Sequence, residues 1–149
     1  SGLRVSELIG LKVKDIKFES NQFWVIWKGS KLRSVFMTNN AKKCLQDYLD
    51  VRQDKGEYIF LSLSNNNIWN NLTRVSIENI VKTYAKYCNI DKKVTPHTLR
   101  HSFATSLLMK WADIRSVQTL LGHSSITTTQ IYTHVADTHL AKVHNLLED

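Results

Sequence analysis

The sequence predicts a mainly α protein with one small three-stranded antiparallel sheet, an α+β fold. Three observations lead there. Between Lys12 and Met37, aromatic and β-branched residues crowd into short runs separated by turn residues, the pattern of a β-meander. From Thr38 onward, apolar residues recur at helical spacing behind residues able to cap helices. The only proline, Pro96, follows Thr95, a pair suited to the first positions of a helix.

Taken in order, the chain opens at Ser1-Gly2-Leu3-Arg4-Val5-Ser6-Glu7-Leu8-Ile9-Gly10-Leu11. Leu8 and Leu11 are helix-spaced with Leu3 or Arg4, and Gly10 can end the helix. With no initiator Met and no polar leader, this start is expected of a cut through a larger protein. Strands are predicted at 15–19, 23–27 and 32–37, with turns at Ser20-Asn21 and Lys28-Gly29-Ser30-Lys31. A helix should run from about Ala41 to Gln53, with Leu45, Tyr48, Leu49 and Arg52 on one face. Tyr58-Ile59-Phe60-Leu61 reads as a brief extended run, and the asparagine-rich tract 62–71 as an exposed loop. The next helix should run from Thr73 to about Cys88, burying Val75, Ile80, Val81, Tyr84 and Tyr87, with Asn89 as its stop. Pro96 opens another, and Asp113 to Leu121 a further one that Gly122 breaks. Ser125 should cap a helix reaching Tyr132, and an amphipathic segment from Asp137 to Leu147 closes the chain.

A chain of 149 residues that is 42% apolar has room for one domain with a sizeable core. No apolar run approaches the roughly 18 residues that span a membrane, and Arg4 and Glu7 at the start fit no signal peptide. Cys44 and Cys88 lack metal spacing; they read as reduced core residues of a cytoplasmic protein, a single disulfide being the alternative. The net charge of +7 points to a polyanionic partner, nucleic acid before anionic membrane. An ordinary basic soluble protein would show the same balance.

Within the helix that Pro96 opens, positions 97, 100, 101 and 104 share one face at about 100° per residue, with Leu99, Phe103 and Leu107 on the adjacent one. His97, Arg100 and His101 thus gather near a helix N-terminus, where the dipole favours an anion. Arg4, the basic hairpin Lys28 to Lys31, His123 and Tyr132 add further polar groups. Arg4, Arg100, a hairpin lysine, His97, His123 and Tyr132 suit phosphoryl transfer on a phosphodiester. Guanidinium forks match two phosphate oxygens, preorganised donors stabilise the charge developing at phosphorus, and a tyrosine can be a covalent nucleophile. Singly, each is weaker: Arg4 could be a solvated arginine, and Lys28 competes with Lys31. His97 and His101 have metal-like i,i+4 spacing but no third ligand, so no metal is expected. His134, His139 and His144 read as surface residues. Tyr48, Tyr58, Tyr84 and Tyr87 lie in core-like patterns and are poor nucleophile candidates.

Five blocks resemble the tyrosine recombinases, or phage integrases, of the bacterial chromosome-dimer and transposon type. They are Ser1-Gly2-Leu3-Arg4-Val5-Ser6-Glu7-Leu8, Lys28-Gly29-Ser30-Lys31-Leu32-Arg33, the segment from Thr95 to Thr105, Leu120-Leu121-Gly122-His123-Ser124, and the segment from Thr127 to His134. They stand in family order and span nearly the whole chain.

The resemblance implies a catalytic domain over residues 1–149, with the family's N-terminal DNA-binding domain and the first catalytic-domain helices lying before Ser1. It implies that Arg4 and Arg100 clamp the non-bridging oxygens of the scissile phosphate. It makes Lys31 the acid for the leaving 5′ oxygen, His97 an assistant in proton transfer, and His123 a second hydrogen-bond donor to phosphate. Tyr132 becomes the nucleophile, forming a 3′-phosphotyrosyl link. Each step is then a transesterification needing no cofactor and no metal. The implied partners are double-stranded DNA, held through phosphates and so salt-sensitively, and further protomers in a tetrameric synapse. The implied setting is the cytoplasm and its nucleoid, with no membrane. In this family the last amphipathic segment often docks on a neighbouring protomer. Type IB topoisomerase-like relaxation and a non-catalytic DNA-binding module are the alternatives. Two departures stand out: Trp111 occupies a place where the family usually has a helix-ending glycine, and Phe36 one where proline is common.

Overall fold

A computed structural model describes residues 1–27, 31–62 and 70–122. Among these residues lie five α-helices and one three-stranded sheet. Their order is α1 (Val5–Ile9), β1 (Ile16–Lys17), β2 (Gln22–Trp27), β3 (Lys31–Phe36), α2 (Asn39–Asp50), α3 (Arg74–Tyr87), α4 (Pro96–Met109) and α5 (Ile114–Leu121). The mainly α fold with a small antiparallel sheet is as the sequence predicts. The hairpin tip, most of the asparagine-rich tract and the two helices expected after Gly122 lie outside the described residues. Among the described residues no helix is long and apolar enough to cross a membrane. Among the described residues two compact units emerge, one of residue 1 with those from 3 to 99, the other of residue 2 with those from 100 to 122.

In the first unit the strands form a meander in the order β1-β2-β3. Phe23 pairs with both Ile16 and Val35, and Val25 pairs with Arg33. Side chains alternate across a strand, so Phe23, Val25 and Val35 share one face. They form a core with Leu11, Ile16 and Ile59, against which Leu3, Phe18, Met37, Leu45 and Phe60 pack. Trp24, Ile26, Leu32 and Phe36 take the opposite, exposed face. The strands are shorter than predicted at β1 and start earlier at β2 and β3, because pairing decides strand ends and local propensity does not.

Thr38 caps α2 by accepting the Ala41 N–H at 3.2 Å. The helix stops at Asp50, short of the predicted Gln53. Arg52 therefore leaves the helix, contrary to expectation. Its guanidinium donates to the carbonyls of Tyr58 and Ile59, at 2.9 and 2.8 Å, and pairs with Asp54. These carbonyls lie six and seven residues on in the chain, so the side chain serves the segment after α2 and not the face of the helix.

Thr73 caps α3 by accepting the Ser76 N–H at 3.1 Å. Asn89 ends it at φ 53°, while the N–H of Ile90 returns to the Ala85 carbonyl at 2.9 Å; asparagine tolerates this left-handed geometry. The buried face of α3 differs from the one its sequence predicts. Ile77 and Ala85 are buried, with Val81 half-buried between them, whereas Val75, Ile80, Tyr84 and Tyr87 are exposed. Residues 77, 81 and 85 form one i,i+4 row, and that row faces inward even though larger apolar residues lie on other faces. Cys44 and Cys88 are free and exposed rather than core residues: Cys44 sits beside, not on, the face of α2 that carries Leu45, and Cys88 lies beyond the last turn of α3.

The second unit is built on α4 and α5. Ala104, Leu108, Val117 and Leu121 form its core, with Phe103, Leu107, Ala112 and Ile114 packed around them. Asp113 caps α5 by accepting the Ser116 N–H at 2.9 Å, and Gly122 ends it at φ 63°.

Candidate active site

The N-terminus of α4 forms as the Thr95-Pro96 pair requires. Thr95 Oγ1 accepts the Thr98 N–H at 3.1 Å and Thr98 Oγ1 accepts the Thr95 N–H at 3.3 Å. This reciprocal pair satisfies two backbone donors around the helix start. It sets His97 in the first turn, exposed, and His101 one turn on, also exposed. Arg100 is different: only 8% of it is accessible. Its Nη2 donates to the Leu121 carbonyl at 2.6 Å and its Nη1 to the Gly2 carbonyl. The inward row of α4 is thus Arg100, Ala104 and Leu108. Leu99, expected on an apolar face with Phe103 and Leu107, is 51% exposed.

A buried guanidinium must be hydrogen-bonded to persist, and here two backbone carbonyls accept from it. One belongs to the last residue of α5, where the helix dipole favours a cation. The other needs Gly2. That residue sits at φ 62°, and a Cβ there would lie 2.6 Å from Cδ1 of Phe103. Only glycine fits both the left-handed backbone and the space. Gly2 was noted in sequence only as part of its block; the crowding that demands it is tertiary.

Arg4 is the N-cap residue of α1, with φ −74° and ψ 152°. Glu7, at the third position of the helix, accepts the Arg4 backbone N–H on Oε2 at 2.7 Å and Arg4 Nη1 on Oε1 at 3.1 Å. Arg33, on β3, forks onto the same carboxylate: Nε to Oε1 at 3.1 Å and Nη2 to Oε2 at 2.7 Å. The side chains of Glu7 and Arg33 are 4% and 7% exposed, and that of Arg4 is 32% exposed. Burial works against the Glu7 charge, but the hydrogen bonds from Arg33 and Arg4 outweigh it and hold the carboxyl below its ordinary range.

Neither Glu7 nor Arg33 was singled out from sequence. A signal did exist for Arg33, which shares strand parity with buried Val35; a charge at an inward position calls for a partner. Lys31 opens β3, paired in register with Trp27. His123 and Tyr132 lie outside the described residues.

The phage integrase family matches residues 1–139 of the chain. The tyrosine recombinase XerC of Thermodesulfovibrio yellowstonii is 43% identical over 97% of this chain and 50% of its own length. The crystal structure of XerA recombinase matches 99% of this chain and 54% of its own with a TM-score of 0.82 and 38% identity. The post-cleavage complex of XerH site-specific recombinase, bound to a palindromic difH substrate, matches 99% of this chain and 43% of its own at 0.79 and 28%. The chain therefore spans about half the length of the proteins it matches.

Proposed function

Given that the chain belongs to the phage integrase family, we propose that it is the catalytic portion of a site-specific tyrosine recombinase that cuts and rejoins double-stranded DNA. In this reading Arg4 and Arg100 hold the non-bridging oxygens of the scissile phosphate, and His123 donates a third hydrogen bond. Tyr132 Oη attacks phosphorus as its proton passes toward His97. The bond from phosphorus to the 5′ oxygen breaks, and Lys31 protonates that oxygen. A 3′-phosphotyrosyl ester and a 5′-hydroxyl result. A 5′-hydroxyl of a partner strand then attacks the ester and releases Tyr132. One phosphoester replaces another at each step, so the energy of the broken bond is kept.

The observation that carries the reading is the anchoring of Arg100. Its guanidinium ties the Gly2 carbonyl, two residues before Arg4 in sequence, to the Leu121 carbonyl, two residues before His123. One residue from each of three motif blocks, Gly2, Arg100 and Leu121, thus joins in one hydrogen-bonded cluster within the second unit. Preorganised donors of this kind are what a pentacoordinate phosphorane needs, because they cost no reorganisation when charge develops. DNA as partner is supported by the basic net charge of +7 and by the DNA complex of the XerH relative. A tetrameric synapse on cytoplasmic or nucleoid DNA is part of the same proposal.

The test is covalent capture. The full-length protein is incubated with a randomised pool of nicked duplexes, and the trapped adduct is mapped to its residue. Tyr132→Phe should abolish the adduct and leave DNA binding nearly intact. Arg100→Ala should slow adduct formation by about 100-fold or more, the loss expected for one transition-state donor. An adduct that survives Tyr132→Phe would overturn the reading.

A further inference from the structure

Arg33 takes no part in the chemistry just described, yet it is buried and forks onto Glu7 with both contacts in hydrogen-bond range. Glu7 in turn holds Arg4 by its backbone N–H and its guanidinium. The three side chains carry two positive charges and one negative. An electrostatic problem is built into this arrangement. A buried carboxylate is a good clamp for Arg4, but a carboxylate paired with one arginine alone cancels the charge that a phosphate ligand must offer.

We infer that Arg33 is a positioning residue for Arg4: by sharing and neutralising the Glu7 carboxylate, it lets Glu7 orient the Arg4 guanidinium without cancelling its positive charge. This rests on the reading of Arg4 as a phosphate ligand. Each carboxylate oxygen accepts one bond from each arginine, so neither arginine has the anion to itself. Fork geometry fixes the carboxylate plane, and that plane fixes where Nη1 of Arg4 lies. Arg33 also stands two residues beyond Lys31 on β3 and opposite Val25 on β2. The same ion pair therefore pins α1 to the hairpin that supplies the proposed acid.

The charge argument separates this role from a merely structural one. If Arg33 only braced the fold, removing the Glu7 charge as well would recover the urea-unfolding midpoint by relieving an unpaired buried carboxylate, and would leave the rate per folded molecule unchanged. If Arg33 shields Arg4 from Glu7, removing the Glu7 charge should restore activity. Single-turnover adduct formation is measured on a nicked duplex recovered by covalent capture, using the full-length protein. Arg33→Met should slow it by roughly 10- to 100-fold, the range for residues that orient a liganding group. Arg33→Lys, which keeps the charge but loses the fork, should lose less. The pair Arg33→Met with Glu7→Gln should be faster than Arg33→Met alone, a non-additive coupling of contacting residues. A pair no faster than the single variant overturns the inference, as does an Arg33→Met protein with an unaltered rate.

A second readout needs no DNA. In the free protein, the Arg4 guanidinium resonances should show restricted rotation that is loosened in Arg33→Lys, a variant that preserves charge and so guards against misfolding of Arg33→Met. Unmoved Arg4 resonances overturn the inference. Should the unmodified protein form no adduct, the phosphate-clamp reading falls, while these resonances still decide whether Arg33 positions Arg4.

Discussion

At residue scale, Gly2 and Arg100 define one another. Arg100 is buried because two carbonyls accept from it, and one of those carbonyls is presented by a residue at φ 62°. An alanine at position 2 would place its Cβ 2.6 Å from Phe103 and 3.0 Å from Leu121. Phe103 is packed on the core, so it cannot simply swing away. Gly2→Ala should therefore cost about 2 kcal/mol, combining the left-handed backbone penalty with local overpacking. The midpoint of urea unfolding checks this, and a shift within error of zero would mean that the Gly2 turn is not rigid. Glu7 offers a different lesson. Its block is legible in the sequence, but its role is not, because a glutamate in a first helical turn is by default a solvated capping residue. Only the arrival of Arg33 from a strand 26 residues away turns it into a buried clamp.

At the scale of elements, the caps were readable and the buried faces less so. Thr38, Thr73, Thr95 and Asp113 act as helix starts because a short side-chain oxygen can meet the N–H two or three residues on. The end of α4 tests the same logic at its other terminus. Trp111 stands at φ 68°, while its own N–H reaches the Leu108 carbonyl and that of Ala112 reaches the Leu107 carbonyl, at 3.0 and 3.1 Å. That is the bonding of a Schellman motif, whose left-handed position usually holds glycine. The turn keeps its handedness even with a bulky side chain in place. Trp111 is 60% exposed, and the strain of its left-handed backbone comes from its Cβ. Trp111→Gly should raise stability by about 0.5–1 kcal/mol, the strain relieved less the extra freedom of glycine in the unfolded chain. Trp111→Ala, which retains a Cβ, should show no such gain in thermal unfolding. The faces of α3 and α4 were harder, since apolar residues line more than one side of each. Which row turns inward depends on what the helix packs against, and that is absent from a local pattern.

For the whole molecule, charged groups set the response to acid. Asp54 is held at about 2 by the Arg52 guanidinium, aided by the Gly56 N–H and opposed by burial, while Glu7 is lowered from its ordinary value against its own desolvation. Both carboxyls bind protons more weakly when folded than when unfolded. Their stabilisation is complete above the unfolded values and disappears as pH falls through the folded ones. Stability should thus be level near neutrality and fall from about pH 4 toward pH 2. Urea midpoints across that range measure it, and Asp54→Asn should flatten part of the slope. An unchanged slope in that variant would remove Asp54 from the account.

The sequence alone determined the α+β class, the three-strand meander, the helix starts and the order of the five motif blocks, because capping, alternation and motif spacing are local properties. It also marked Arg4, Lys31, His97, Arg100, His123 and Tyr132 as candidates, since residue type and block order travel with the chain. Tertiary structure decided what no local pattern contains. It buried Arg100 against the carbonyls of Gly2 and Leu121, 98 and 21 residues away. It turned the row of Ile77 and Ala85 inward in place of larger residues, and left both cysteines exposed. It also joined Arg33 to Glu7 beside Arg4. The physical reason is common to all four: burial and ion pairing are set by which distant segments share a space, and the free energy of a buried charge depends on partners that sequence proximity does not supply.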